Sequence, residues 1–126
     1  MSIVNIGTVC AMNPGCIRAN IRQSWGITLA DATKLLFVWN HQTRTDGHGL
    51  WVNLYDPRTD VGRYGGNERL AHVRAIEAGT KGEALVGFME NKQWHIGRGE
   101  VSSPYRIVAL WTDDDGIIWG NLLRLM

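Results

Sequence analysis

The stretch KGEALVGFMENKQWHIGRGEV, Lys81 to Val101, decides the fold, because it holds two apolar runs on either side of a polar joint. The runs predict two antiparallel strands, about Glu83 to Glu90 and Gln93 to Val101. Their glycines are Gly87, Gly97 and Gly99. A glycine inside a strand usually marks a bulge, a tight bend or a close approach by other atoms. The stretch therefore predicts a short sheet that curls.

The rest of the chain supplies further strands. The clearest hairpin pairs Arg106–Thr112 with Ile117–Leu125 around DDDG, the composition of a type I turn followed by a left-handed glycine. LLFVWN, Leu35 to Asn40, is typical of a buried strand, and Leu50 to Tyr55 alternates as a half-buried strand does. A first strand is predicted within the N-terminal SIVNIGTVC.

Helices are fewer and shorter in this interpretation. One is predicted from about Asn67 to Ala78, ending at Gly79, and two more over Cys16–Trp25 and from Thr28 to Lys34. His41–Gly49 and Arg58–Gly66 are predicted as loops. The fold class is α+β: a small, mostly antiparallel β-barrel or strongly curled sheet with two or three short helices, in a single domain over residues 1–126.

Composition narrows the range of partners. The net charge of +1 provides no general field for long duplex contacts, but the cations are ten Arg against three Lys. No apolar run reaches about 18 residues, so no membrane partner is predicted. The N-terminus lacks the features of a signal peptide, and Cys10 and Cys16 are interpreted as reduced thiols, although they could pair. A cytoplasmic location is predicted.

The segment KGEALVGFM…WHIGRGEVSSPY resembles the core of the PUA-like superfamily, particularly its EVE and ASCH members. The resemblance rests on the strand beginning at Gly82-Glu83 and on the hydrophobic-G-x-G-x-V pattern from Ile96 to Val101. It covers about 25 residues directly. The resemblance implies a nucleic-acid-binding protein that holds an RNA segment, or a flipped or modified base, in a pocket lined by aromatic side chains.

Planar rings, guanidinium forks and amides are the groups that bind an extruded base. The predicted ligand-binding residues fall into three groups. Trp39, Trp51 and Tyr64 are predicted to stack on the base, and Arg44, Arg63 and Arg98 to contact phosphate. Asn40, Asn53 and His95 are predicted to hydrogen-bond the edge of the base. Further candidates are Tyr55 for stacking, Arg58 for a phosphate contact and His41 for the edge of the base.

Two further groups of residues could bind an anion or a metal ion. GRYGGNER, Gly62 to Arg69, could form an anion site where a loop enters a helix, but it lacks a mononucleotide or dinucleotide fingerprint. His41, Asp46 and His48 could ligate a metal, but solvated turn residues explain them more simply. No nucleophile signature is present, so no catalytic residue, metal or cofactor is predicted.

Three functions remain open from the sequence. The first is a small nucleic-acid-binding module, with a modified or flipped base as a candidate ligand. The second is a binder of small nucleotides or anionic metabolites, which needs little net positive charge. The third is a non-catalytic homodimeric interaction module in which exposed Trp residues form an interface.

Overall fold

The structure, a computed structural model, describes residues 3–18 and 24–124. Within these residues it has nine strands, four α-helices and one 3-10 helix. The strands are β1 (Ile3–Val4), β2 (Gly26–Thr28), β3 (Lys34–Trp39), β4 (Thr43–Asp46), β5 (Gly49–Tyr55), β6 (Gly82–Glu90), β7 (Gln93–Gly97), β8 (Tyr105–Thr112) and β9 (Ile118–Arg124). The helices are α1 (Ile6–Ala11), α2 (Pro57–Asp60), α3 (Tyr64–Glu77), α4 (Arg98–Val101) and the 3-10 helix Asn40–Gln42.

Strand β6 is the hub of the sheet. It pairs in parallel with β3, and it pairs antiparallel with β8 near its start and with β7 near its end. The sheet continues from β8 through β9 and β5 to β4, while β2 pairs with β3 and β1 with β7. Only the β3–β6 pairing is parallel among the described strands. The α+β class and the strongly curled, mostly antiparallel sheet are thus confirmed, and the sheet stays open.

Strand β3 is buried on both faces, which explains its unbroken apolar sequence. On one face, Leu36 and Val38 pack in a core with Leu54 of β5 and Val73 of α3. On the other face, Leu35 and Phe37 belong to a second core that contains buried residues of α1, β2, β6 and β7: Val9, Ile27, Leu85, Trp94 and Ile96. The N-terminal segment therefore covers the side of the sheet that α3 leaves open.

Gly87 shows why a glycine interrupts β6. A Cβ atom there would overlap the Trp94 indole and the His95 carbonyl oxygen, so the residue allows a close approach. Gly99 is different, because it lies in α4 with nothing within 4 Å of an added Cβ. The prediction that the second strand continues to Val101 is therefore wrong, since β7 ends at Gly97.

The β8–β9 hairpin forms as predicted. Gly116 has a φ of 83°, and Asp113 Oδ1 accepts hydrogen bonds from the backbone N–H groups of Asp115 and Ile117. The carboxylate and the left-handed glycine together fix the turn, in the way the sequence composition indicates.

The N-terminal third departs from the predictions. Residues 6–11 are helical and not extended, because the Asn5 side chain caps α1 by accepting from Thr8 N at 2.9 Å. Ile17 makes a β-bridge with Thr28, and Thr28 itself belongs to β2 and caps no helix. The predicted helix over Cys16–Trp25 is therefore wrong at Ile17, and its residues 19–23 lie outside the described part.

Two predicted loops contain regular structure. The polar TRTD segment of the first loop is β4, which pairs with β5. The second loop contains α2 and the start of α3, which begins at Tyr64 and not at Asn67. Gly65 and Gly66 are buried in that first turn, against the Trp25 indole and the Asp60 carbonyl oxygen. These glycines thus allow close helix packing, and the helix then ends before Gly79, as predicted.

Candidate ligand-binding cleft

A cleft of about 1060 Å³ opens in the described part of the chain. It lies where five segments meet: α1, the end of β3 with its 3-10 helix, β5, the α2–α3 connection, and the β6–β7 turn. Pockets for small ligands usually measure about 300–1,000 Å³, so this cleft is large enough for one.

Two indoles form the aromatic wall of the cleft. The rings of Trp25 and Trp39 meet edge to face, with centroids 5.7 Å apart and planes at 90°, and both residues are half-buried. The backbone of Trp25 is held firmly, because its N–H donates to Glu68 Oε1 at 3.0 Å and its carbonyl accepts from Phe37 N at 3.0 Å. A flat guest therefore meets a preorganised aromatic surface.

The cleft is cationic. Among the described residues, Arg18, Arg63 and Lys92 line it, and Asp60 is the single lining carboxylate. Asp60 is already engaged, since Oδ2 accepts from Asp56 N at 2.8 Å. The Arg63 guanidinium lies 5.8 Å from the Trp25 ring and, within the described residues, makes no ion pair. This charge balance favours an anionic guest.

Amide and imidazole side chains complete the lining. Gln42, Asn53, Gln93 and His41 all contribute to the cleft. Amides can donate and accept at once, so they can bind the edge of a heterocyclic base.

The structure brings together three of the nine predicted ligand-binding residues: Trp39, Asn53 and Arg63 line the cleft. Asn40 and Tyr64 are sequence neighbours of lining residues, but both are exposed and neither lines it. The remaining four lie elsewhere: Arg44 on β4, Trp51 on β5, His95 on β7 and Arg98 in α4. The expected pairing of Trp39 with Trp51 in one pocket is therefore not seen.

Three important lining residues were missed. Trp25 was placed in a predicted helix, Arg18 in the same helix, and Lys92 in a short joint. Lys92 and Asn91 both have positive φ, 64° and 50°, as a two-residue hairpin turn requires. The short joint between two predicted strands could have predicted this tight turn. The sequence around the turn, however, does not indicate that it would lie near Trp25.

Arg69 lies beneath the cleft and is 1% exposed. Its Nη1 donates to the Leu54 carbonyl at 2.9 Å, and its Nη2 donates to the carbonyls of Trp25 at 2.9 Å and Phe37 at 2.7 Å. Burial lowers the pKa of Arg69 to about 10, so it remains charged at neutral pH. One side chain of α3 thus links β3, β5 and the Trp25 wall across the open side of the sheet.

A second aromatic cluster lies on the face of β4, β5, β9 and β8 that points away from the core. Trp51 and Trp111 meet at 6.4 Å, and the Arg44 guanidinium lies 4.4 Å from the Trp119 ring and 5.4 Å from the Trp111 ring. The indole N–H groups of Trp51 and Trp119 donate to Asp46 and Asp113. Accepting from Trp119 lowers the pKa of Asp113.

The remaining polar clusters have structural partners. Asp46 accepts from His48 N at 2.7 Å as a turn residue does, and no group of three His, Cys, Asp or Glu among the described residues could hold a metal. Cys10 and Cys16 form a disulfide, so the prediction of two reduced thiols is wrong. The MNPG turn between them brings their Cα atoms to 6.0 Å, within reach of that bond.

Comparison with family models, curated proteins and solved structures finds no match to this chain. The resemblance to PUA-like domains therefore stays a prediction. Among the described residues, no helix is long and apolar enough to cross a membrane.

Proposed function

We propose that the cleft binds one nucleotide unit of a single-stranded nucleic acid. The base lies against Trp39 and Trp25, and its phosphate lies near Arg63. The observation that carries this proposal is the meeting of two indoles with three cations and a set of amides in one cleft.

The energetics are consistent with such a guest. Stacking on an aromatic side chain contributes about 1–3 kcal/mol per base, which offsets the few kcal/mol needed to take a base out of its stack. The net charge of +1 favours a short footprint over a long duplex contact, because duplex affinity depends on many neutralised phosphates.

A free nucleotide or another planar anion is the second candidate. The cleft supports it directly, because the three lining cations lie in one cavity and the chain as a whole is nearly neutral. The two candidates use the same residues and differ in whether flanking nucleotides add affinity.

Titration of tryptophan fluorescence with a single-stranded oligonucleotide and with mononucleotides separates them. The proposal predicts that the oligonucleotide binds at least tenfold more tightly. Trp39→Ala is expected to weaken binding about tenfold, while Trp39→Phe retains most of it because a ring remains for stacking. Circular dichroism confirms that each variant is folded.

Salt dependence provides the matched test of charge. Arg63→Ala should reduce the slope of log affinity against log salt by about 0.7, the value for one phosphate contact to a single strand. Arg98→Ala removes another exposed arginine, one that does not line the cleft, and it should leave the slope unchanged. Equal effects of the two variants, or no binding of any nucleotide, would overturn the proposal.

The predicted cytoplasmic location stays part of the proposal. Disulfides persist mainly in oxidising compartments, and those found in the cytoplasm are mostly transient. Trapping thiols under acid quench in intact cells tests the location: a Cys10–Cys16 disulfide that is reduced and reformed agrees with the cytoplasmic prediction, and one that persists argues against it.

A further inference from the structure

The outer sheet face is the second surface of the molecule that carries aromatic and cationic side chains together. We define it by its exposed or half-buried side chains on β4, β5, β9 and β8: Arg44, Trp51, Trp119, Asn121, Leu123, Arg106, Ala109 and Trp111. Within the described residues, no helix packs on it, since α3 contacts the opposite, inward face through Leu70 and Val73. Trp111 is 45% exposed and Leu123 is 53% exposed.

The composition of this face is that of an interface. Trp and Arg are the residues most enriched at binding hot spots, and Arg44 already stacks on Trp119 and Trp111. Hydrogen bonds to Asp46 and Asp113 fix the indoles of Trp51 and Trp119, so little side-chain entropy remains to be lost on docking.

The charges at its two ends identify the occupant. The β8–β9 turn carries Asp113, Asp114 and Asp115 at one end of the face. Arg106, exposed and opposite Leu123 in the register, lies at the other end. Five residues of β8 separate Thr112 from Arg106, so the two charges lie roughly 20 Å apart along the strand, at about 3.3 Å per residue.

We infer that this face binds a second copy of the chain. A two-fold axis between the faces and across the strands reverses the strand direction, so the acidic turn of one copy lies over Arg106 of the other. Because the contact is isologous, opposite charges meet at both ends of the interface. The indoles of the two copies then meet at the centre, as in the packing of two aligned sheets. The indoles that wall the cleft, Trp25 and Trp39, lie outside this face, while Asn53 of the cleft lining follows Trp51 on the same side of β5.

Sedimentation of the protein over a range of concentrations measures this directly. The expected result is a species of twice the 14.1 kDa chain mass. Trp111→Glu, at an exposed position, should shift the chain to monomer. A wild-type protein that remains monomeric at every concentration contradicts the inference. If Trp111→Glu instead abolishes binding of nucleic acid by a monomer, then nucleic acid is the occupant.

Charge exchange tests the orientation. Arg106→Glu and Asp114→Arg each place like charges at both ends of the dimer, and each should weaken association at least tenfold. An equimolar mixture of the two variants restores opposite charges at both ends and should associate as tightly as wild type. Asp114 is chosen because Asp113 holds the turn and Asp115 pairs with Arg58. A wild-type dimer that is unaffected by these variants and by Trp111→Glu would use another surface.

Discussion

At the scale of a single residue, the stability of the fold depends on the protonation state of His72, a largely buried side chain of α3. Within residues 3–18 and 24–124 its buried Nδ1 has no hydrogen-bond partner, and its ring lies against Gly26, where an added Cβ would approach Nδ1 to 2.9 Å. Burial, aided by the charges of Lys34 and Arg69, lowers the pKa of His72 to about 4. The folded protein therefore contains His72 as the neutral imidazole at neutral pH.

This shift predicts a loss of stability in mild acid. An unfolded histidine titrates near 6.5, so as the pH falls from 6.5 towards 4 the unfolded chain gains a proton that the folded chain does not. Stability is full above pH 6.5 and falls by roughly 1–2 kcal/mol across this window, after allowance for the partial exposure of the ring. Urea denaturation at a series of pH values measures the change.

His72→Gln removes the titrating group and should flatten the profile between pH 6.5 and 4. The lowered pKa values of Asp31, Asp56 and Asp113 act mainly below this window, because the stabilisation they give is lost progressively as the pH falls from just above 3.8 through their lower folded values. A profile that keeps its slope in His72→Gln would assign the acid sensitivity to other groups.

At the scale of elements, α3 holds the open sheet together through Arg69. The curled sheet leaves β3 and β5 unpaired with each other, and Arg69 supplies donors to a carbonyl on each. A guanidinium suits this position because its planar fork reaches several acceptors at once.

Arg69→Met should therefore destabilise the protein by roughly 2–5 kcal/mol, because it leaves buried carbonyls without donors. The control is Arg74→Met on the same helix, where the arginine is exposed and pairs only with Glu77, so a change below about 0.5 kcal/mol is expected. Chemical denaturation compares the two midpoints. Equal midpoints would show that Arg69 does not hold β3 and β5.

The elements that the sequence predicted well are those whose local pattern agrees with their tertiary role. β3 is an apolar run because it is buried on both faces, and the β8–β9 turn is specified by its own Asp and Gly residues. β4 was missed because TRTD is polar and becomes a strand only by pairing with β5. The start of α3 was missed because two glycines argue against a helix locally, yet Gly65 packs closely on Trp25 and Gly66 on the Asp60 carbonyl.

At the scale of the whole molecule, some residues that line the cleft could be predicted from the sequence and others could not. Trp39 and Asn53 were found because they lie at or near the ends of predictable strands, and Arg63 because it precedes a predictable helix. Trp25, Arg18 and Lys92 reach the same cavity from segments far apart in the chain, and only the curled topology brings them there. The separation of Trp51 from Trp39 likewise follows from the topology, since Trp51 lies on the outer sheet face.

Indole N–H resonances provide the most direct test of nucleotide binding in the cleft. In a titration with a single-stranded oligonucleotide followed by 1H–15N NMR, the signals of Trp25 and Trp39 should shift strongly. Those of Trp51 and Trp119 should stay in place, because their N–H groups are bonded to Asp46 and Asp113 on the outer sheet face. Saturable shifts of Trp25 and Trp39, with the signals of Trp51, Trp111 and Trp119 unmoved, are the predicted result. Shifts confined to Trp51, Trp111 and Trp119, or no shift at all, would contradict the account.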